Sequence, residues 1–109
     1  MTTIIKNATP HAVMICGENN EVLKTFEPTG VVPRCTVTRK QIGEIDGIPL
    51  NTSVFGQVEG LPDPEEGVVW IVSRVVAEAA KERSDLLVTD DAVRDDQGRI
   101  IGCRALAKV

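Results

Sequence analysis

Tyrosine is missing from this chain, and aromatic residues make up only 3% of it. Trp70, Phe26 and Phe55 are the full set. Proteins that hold single-stranded nucleic acid stack successive bases on aromatic rings, and three scattered rings give no such platform. Positive charge is also short: 12 Lys and Arg stand against 16 Asp and Glu, for a net charge of −4. Bulk DNA or RNA needs a basic face, so neither is the expected partner. A single histidine, His11, would have to serve any imidazole base or His-based metal site. It lies beside Pro10 at a turn, with no Cys or acid at ligand spacing. The three cysteines, Cys16, Cys35 and Cys103, are odd in number and far apart, with neither a zinc spacing nor a Cys-x-x-Cys pair. They read as small buried or half-buried thiols. No apolar run approaches the ~20 residues of a membrane span, and no signal-peptide pattern opens the chain. The expectation is a cytoplasmic protein with no membrane contact, no metal and no cofactor.

What the chain does have is an aliphatic core. Hydrophobic residues reach 42% of 109 residues, which suits one domain over 1–109. The most apolar stretch runs from Gly67 to Ser84. Val68 to Val72 is a β-branched and aromatic run, read as a buried strand. From Ser73 the spacing changes to Val75, Val76, Ala79 and Ala80, one face of a helix. Ser73 stands at the N-cap position. A strand therefore feeds a helix over about 73–83.

Elsewhere the chain reads as short strands between turns. Thr2 to Lys6 opens, stopped by Asn7-Ala8-Thr9-Pro10-His11. Ala12 to Cys16 and Glu21 to Phe26 form a hairpin about Gly17-Glu18-Asn19-Asn20. Val31 to Arg39 is a strand with Pro33 marking an edge or bulge. Lys40 to Asp46 has no clear assignment, Asp46-Gly47 is a turn, and Ile48 to Val58 is a strand. Gly60 to Gly67 is a loop. Leu86 to Thr89 and Ala92 to Arg94 are brief strands flanking a turn at Asp90-Asp91. Asp95-Asp96-Gln97-Gly98 turns into a last strand, Arg99 to Leu106. The fold class is α+β: a mainly antiparallel sheet, curled or partly barrel-like, with one main helix on an open side.

No catalytic constellation emerges. Ser73 sits at a strand-to-helix turn, but Ile71 and Val75 stand where a nucleophile elbow needs glycines. The acid clusters Asp63/Glu65/Glu66, Asp90/Asp91 and Asp95/Asp96 lack the alternate spacing of a calcium loop and read as solvated turns. The arginines are more informative. Arg74 lies just inside the helix start, where a cation opposes the helix dipole. With the Ser73 hydroxyl and the first helical amides it would form a phosphate cradle. Alternatively it points to solvent or pairs with Glu78. Arg94, Arg99 and Arg104 lie near strand ends and would add charge. Thr9 and His11 would contact a ribose or base. Trp70 would stack on a ligand or fill the core.

Asn7-Ala8-Thr9-Pro10-His11, Pro28-Thr29-Gly30, Leu61-Pro62-Asp63-Pro64 before Val68-Val69-Trp70-Ile71-Val72-Ser73, and Val93-Arg94-Asp95-Asp96-Gln97-Gly98-Arg99-Ile100-Ile101-Gly102-Cys103-Arg104 carry a resemblance. They resemble a group of small proteins from phages, prophages and actinobacteria, and the likeness covers nearly the whole chain. The resemblance brings over no catalytic residue. It implies a role in host takeover or counter-defence, as in phage proteins that sequester nucleotide-derived immune signals. The expected function is thus a non-enzymatic, homo-oligomeric binder of a phosphorylated small molecule. The alternatives are a protein–protein inhibitor or phage accessory protein, and a small carboxylate-dependent nucleotide hydrolase.

Overall fold

Turn chemistry divides the described residues into eight strands and one helix: β1 (Ile4–Asn7), β2 (Val13–Cys16), β3 (Val22–Phe26), β4 (Arg34–Ile45), β5 (Ile48–Glu59), β6 (Val68–Ile71), α1 (Arg74–Ala79), β7 (Leu86–Arg94) and β8 (Ile100–Ala107). The structure is a computed structural model that describes residues 3–109. Thr2, expected to begin the first strand, lies outside the described residues. Asn20 takes φ 63° between β2 and β3, and Asp46 and Gly47 take 55° and 79° between β4 and β5. The left-handed pair Asp46-Gly47 matches the twist of a tight hairpin.

Six strands form one sheet in the order β1-β6-β7-β8-β2-β3, and β4 pairs only with β5. The main sheet is mixed rather than mainly antiparallel. β1 runs parallel to β6, β6 to β7, and β2 to β8, while β7–β8 and β2–β3 are antiparallel. The parallel β6–β7 step follows from α1, which returns the chain between them as a crossover. The sheet curls until the chain after β3 reaches β1. Asn7 bridges Pro28, and Thr29 donates its amide to Asn7 O at 3.1 Å. This single bridge stitches the two edges at one end without closing a barrel.

β6 is buried on both faces, which explains its unbroken apolar run. Val68, Trp70 and Val72 pack with Val76, Ala77 and Ala80 of the helix region, and with Leu86 and Val88. Ile71 points the other way, into a second cluster with Val13 and Cys103 inside the curl. Trp70 is thus core, with Lys6 Nζ 5.4 Å from its ring centroid. Gly102 lies where β2 crosses closest to β8. A Cβ there would stand 2.9 Å from Met14 O, so no larger residue fits without moving backbone.

The helix is shorter than its apolar spacing implies. It ends at Ala79, and Ala80 leaves helical geometry at φ −119°, ψ 45° while its amide still bonds Val76 O. β7 pairs Leu86 with Trp70, so the chain must run back to the start of β6 within a few residues. Arg83 holds that return. Its guanidinium makes a two-pronged contact with Asp85, at 2.8 and 2.7 Å, and donates to Pro62 O at 2.9 Å. The fork ties the helix exit to the Gly60–Gly67 loop. The Asp85 carboxyl is held below the usual carboxylate range, chiefly by the hydrogen bond from Arg83 and against the opposing effect of burial. A depressed folded pKa contributes stability above the unfolded value of about 3.9 and loses it as pH falls through the folded value. Arg83→Ala should therefore lower stability by about 2–3 kcal/mol at pH 7. The gap from wild type should shrink as urea melts are repeated from pH 5 down to pH 2.5.

Two strand assignments also change. β7 is continuous from Leu86 to Arg94. Asp91 takes φ 54°, yet the ladder to β8 continues from Asp90↔Ala105 to Ala92↔Cys103. β4 extends to Ile45 and takes in residues 40–45 that had no clear assignment. With β5 it forms a two-stranded arm projecting from the body. The chain measures 49 × 39 × 22 Å with a radius of gyration of 16.6 Å, against about 13 Å for a compact chain of this length.

Candidate functional site

A cleft of about 690 Å³ opens between the 9–14 segment, the end of β6 with the helix start, and the β7–β8 ladder. Its volume lies in the roughly 300–1,000 Å³ range of small-molecule sites. Thr9, His11, Ser73 and Arg74 all line it, so four of the eight expected residues come together. Met14, Ile100 and Ile101 give it an apolar surface, and Asp90 and Asp91 face it from β7.

The Thr9–His11 rim is built by Asn7, a fully buried polar residue at 1% exposure. Its Nδ2 donates to His11 O at 2.7 Å and to Phe26 O at 2.9 Å. Its Oδ1 accepts from Thr9 N at 2.9 Å and lies 2.6 Å from the Thr9 hydroxyl. The amide is fully used in fixing the turn, as a buried polar group must be. Thr9 and His11 are thereby set at the cleft edge by a residue that does not itself line it.

At the opposite rim Ser73 caps α1. Its Oγ accepts from Val76 N at 3.4 Å, a long bond that leaves the hydroxyl proton free for a ligand. The helix has six residues, so the field at its start is small, and Arg74 carries most of the attraction for an anion. Arg74 is 70% exposed and sits 3.5 Å from Glu78. An exposed i,i+4 pair is worth about 0.3–0.5 kcal/mol, so a phosphate entering the cleft would outcompete it.

The other expected residues lie elsewhere. Arg94 donates to Gly98 O at 2.7 Å, within the β7–β8 turn. Arg99 binds Asp95 at 3.0 Å, and Asp95 is held below the usual carboxylate range first by the Arg99 amide. Arg104 stands 3.6 Å from Asp91 and also contacts Asn20, reaching the rim only through that carboxylate. Trp70 is enclosed in the core, its indole N–H buried without a partner among the described residues. Sequence reasoning missed Asp90 and Asp91 as cleft residues. Their adjacency reads as a turn, yet both lie within the continuous β7 strand, with Asp91 at φ 54°, and line the cleft.

Chemically the cleft offers one guanidinium, an imidazole, three hydroxyls (Thr9, Ser73 and Thr89) and two carboxylates over an apolar surface. Cys103 also lines it, but burial pushes its thiol pKa up, which keeps it protonated and a poor nucleophile. Among the described residues no group of three or more His, Cys, Asp or Glu side chains could hold a metal ion. Among the described residues no helix is long and apolar enough to cross a membrane. Neither the family models, nor the curated proteins, nor the solved structures contain a match to this chain.

Proposed function

We propose that this protein is a non-enzymatic binder that sequesters a phosphorylated small molecule, a nucleotide-derived signal, in the cleft. The observation that carries the reading is the meeting of Thr9, His11, Ser73 and Arg74 with Asp90 and Asp91 around one opening. Arg74 and the Ser73 hydroxyl take the phosphate. The carboxylates of Asp90 and Asp91 accept from ribose hydroxyls or base amino groups. Met14, Ile100 and Ile101 cover the flat face of the base. In a phage setting such a binder would act in counter-defence by withdrawing the signal.

A thermal-shift series with ADP-ribose, cyclic ADP-ribose isomers and cyclic dinucleotides tests this reading. Ligand at a hundred times its Kd stabilises the fold by about 2.7 kcal/mol, so at least one compound should raise Tm by several degrees and be recovered intact. Arg74→Ala removes charge-assisted hydrogen bonds worth about 1.5–3 kcal/mol. It should weaken that compound about ten- to a hundredfold while leaving the unliganded Tm within a degree or two. An unchanged affinity in Arg74→Ala contradicts the assignment of phosphate to this rim, and turnover of the compound would favour the hydrolase. The arm favours a second reading, a protein-contact role, which a flat screen would leave standing.

A further inference from the structure

A second hollow of about 640 Å³ lies where the base of the β4–β5 arm meets the start of α1. Arg34, Thr36, Gln57 and Glu59 are polar groups of its lining, and Val37 and Val75 add apolar surface. Ser73 belongs to both cavities. Val72 and Arg74 beside it line the cleft, while Val75 and Val76 line the hollow. Ser73 is exposed, and its short side chain leaves little wall between the two.

The ladder is irregular at the hollow. Cys35 pairs with Val58 and Val37 with Phe55, so Thr36 alone stands opposite Gly56 and Gln57. Two residues against one is a β-bulge, which re-aims side chains and is over-represented beside functional sites. Thr36 and Gln57, the side chains freed from regular pairing, both line the hollow. Gly56 lets the strands close here: a Cβ at this position would stand 3.3 Å from both Cβ and O of Thr36.

The polar groups of the hollow say which part of a ligand it suits. Arg34 and Glu59 cancel in charge, so the hollow does not select a second phosphate. A guanidinium, a hydroxyl, an amide and a carboxylate match instead the mixed donors and acceptors of a neutral nucleoside. The cleft and the hollow, about 690 and 640 Å³, each fall within the range of a small-molecule site. We propose, resting on the assignment of phosphate to Ser73 and Arg74, that the ligand is a dinucleotide. Its phosphate joint crosses Ser73, one nucleoside fills the cleft, and Arg34, Thr36 and Gln57 hold the other in the hollow.

The test is isothermal titration of the full chain with cyclic di-AMP, cyclic di-GMP and cyclic GMP–AMP, set against cyclic AMP and cyclic GMP. At least one dinucleotide should bind at least about tenfold more tightly than either mononucleotide, which leaves the hollow empty. Arg34→Ala/Gln57→Ala should weaken that dinucleotide at least about tenfold without weakening the mononucleotides. Arg74→Ala should weaken both classes. Arg34 and Gln57 are exposed, so circular dichroism melts of the unliganded double variant should match wild type. A mononucleotide that binds as tightly as every dinucleotide overturns the second subsite and leaves the cleft standing. So does a double variant with unchanged dinucleotide affinity. Silence from both classes overturns it too, and the cleft falls with it unless ADP-ribose or a cyclic isomer binds.

Discussion

Asn7→Ala should lower the unfolding free energy by about 3 kcal/mol or more, the largest effect expected of any single polar substitution in this fold. The change leaves the Phe26 carbonyl and the Thr9 amide without their Asn7 partner, and the His11 carbonyl with the Thr9 hydroxyl alone, in a place where Asn7 is 1% exposed. Each buried group left unpaired costs about 1–3 kcal/mol. Water entering the vacated space recovers part of this, which sets the lower figure. At about 4–8 °C per kcal/mol for domains near this size, Tm should fall by at least about 12 °C. The same side chain joins three segments: the end of β1, the Thr9–His11 rim and the end of β3. The Thr9 and His11 amides should therefore lose hydrogen-exchange protection more than amides of the β7–β8 ladder. A Tm change of only a degree or two would show that the Asn7 side-chain network carries little of the stability.

Ile71→Ala should be comparably damaging for a different reason. Ile71 has no exposed surface and centres the cluster inside the curl, with Val13, Cys103, Phe26 and Leu106. Removing its outer carbons forfeits apolar burial and opens a cavity, costing about 2–5 kcal/mol. The curl confines that cavity on all sides, which limits collapse and places the cost in the upper half of the range. Ile71→Val, which deletes one methylene, should cost about 1 kcal/mol. Guanidinium melts should show the midpoint falling in that order with the slope unchanged. Equal effects of the two substitutions would mean that the interior is already loosely packed.

The elements legible in the sequence are those written in local chemistry. Asn20, Asp46-Gly47 and Gly98 marked turns because few residues tolerate their backbone angles. Val68 to Ile71 stood out because a strand buried on two faces has no polar positions. The strand-to-helix junction at Ser73 was legible through the cap. What stayed hidden depends on partners distant in sequence. Nothing in Ile4-Ile5-Lys6-Asn7 says that it runs parallel to β6. The helix limit is set by the return to Leu86, not by the residues of the helix, whose spacing continues past it. Residues 40–45 gave no clear signal because a bulge between Gln41 and Gly43 breaks the alternation there. Asn7 read as part of a turn, since its four side-chain contacts come from a rim and a strand end that only the fold brings near.

For the candidate site, the sequence led to both rims and not to the wall between them. Thr9, His11, Ser73 and Arg74 drew notice because a turn and a helix start expose polar groups. Asp90 and Asp91 did not, because an adjacent acidic pair reads as a solvated turn. Arg94, Arg99 and Arg104 illustrate the converse. Arg94 and Arg99 do lie at strand ends, whereas Arg104 stands in the middle of β8, and each is engaged by a neighbouring carbonyl or carboxylate. Guanidinium groups find such local acceptors readily.

The most direct test of the cleft is a proton–nitrogen NMR titration with the nucleotide that gives the largest thermal shift. Saturable shifts should gather at Thr9, His11, Ser73, Arg74, Asp90 and Asp91, with the arm amides between Val37 and Phe55 unmoved. If no nucleotide in the series produces saturable shifts, or if the shifts gather away from these six residues, the cleft is not the binding site.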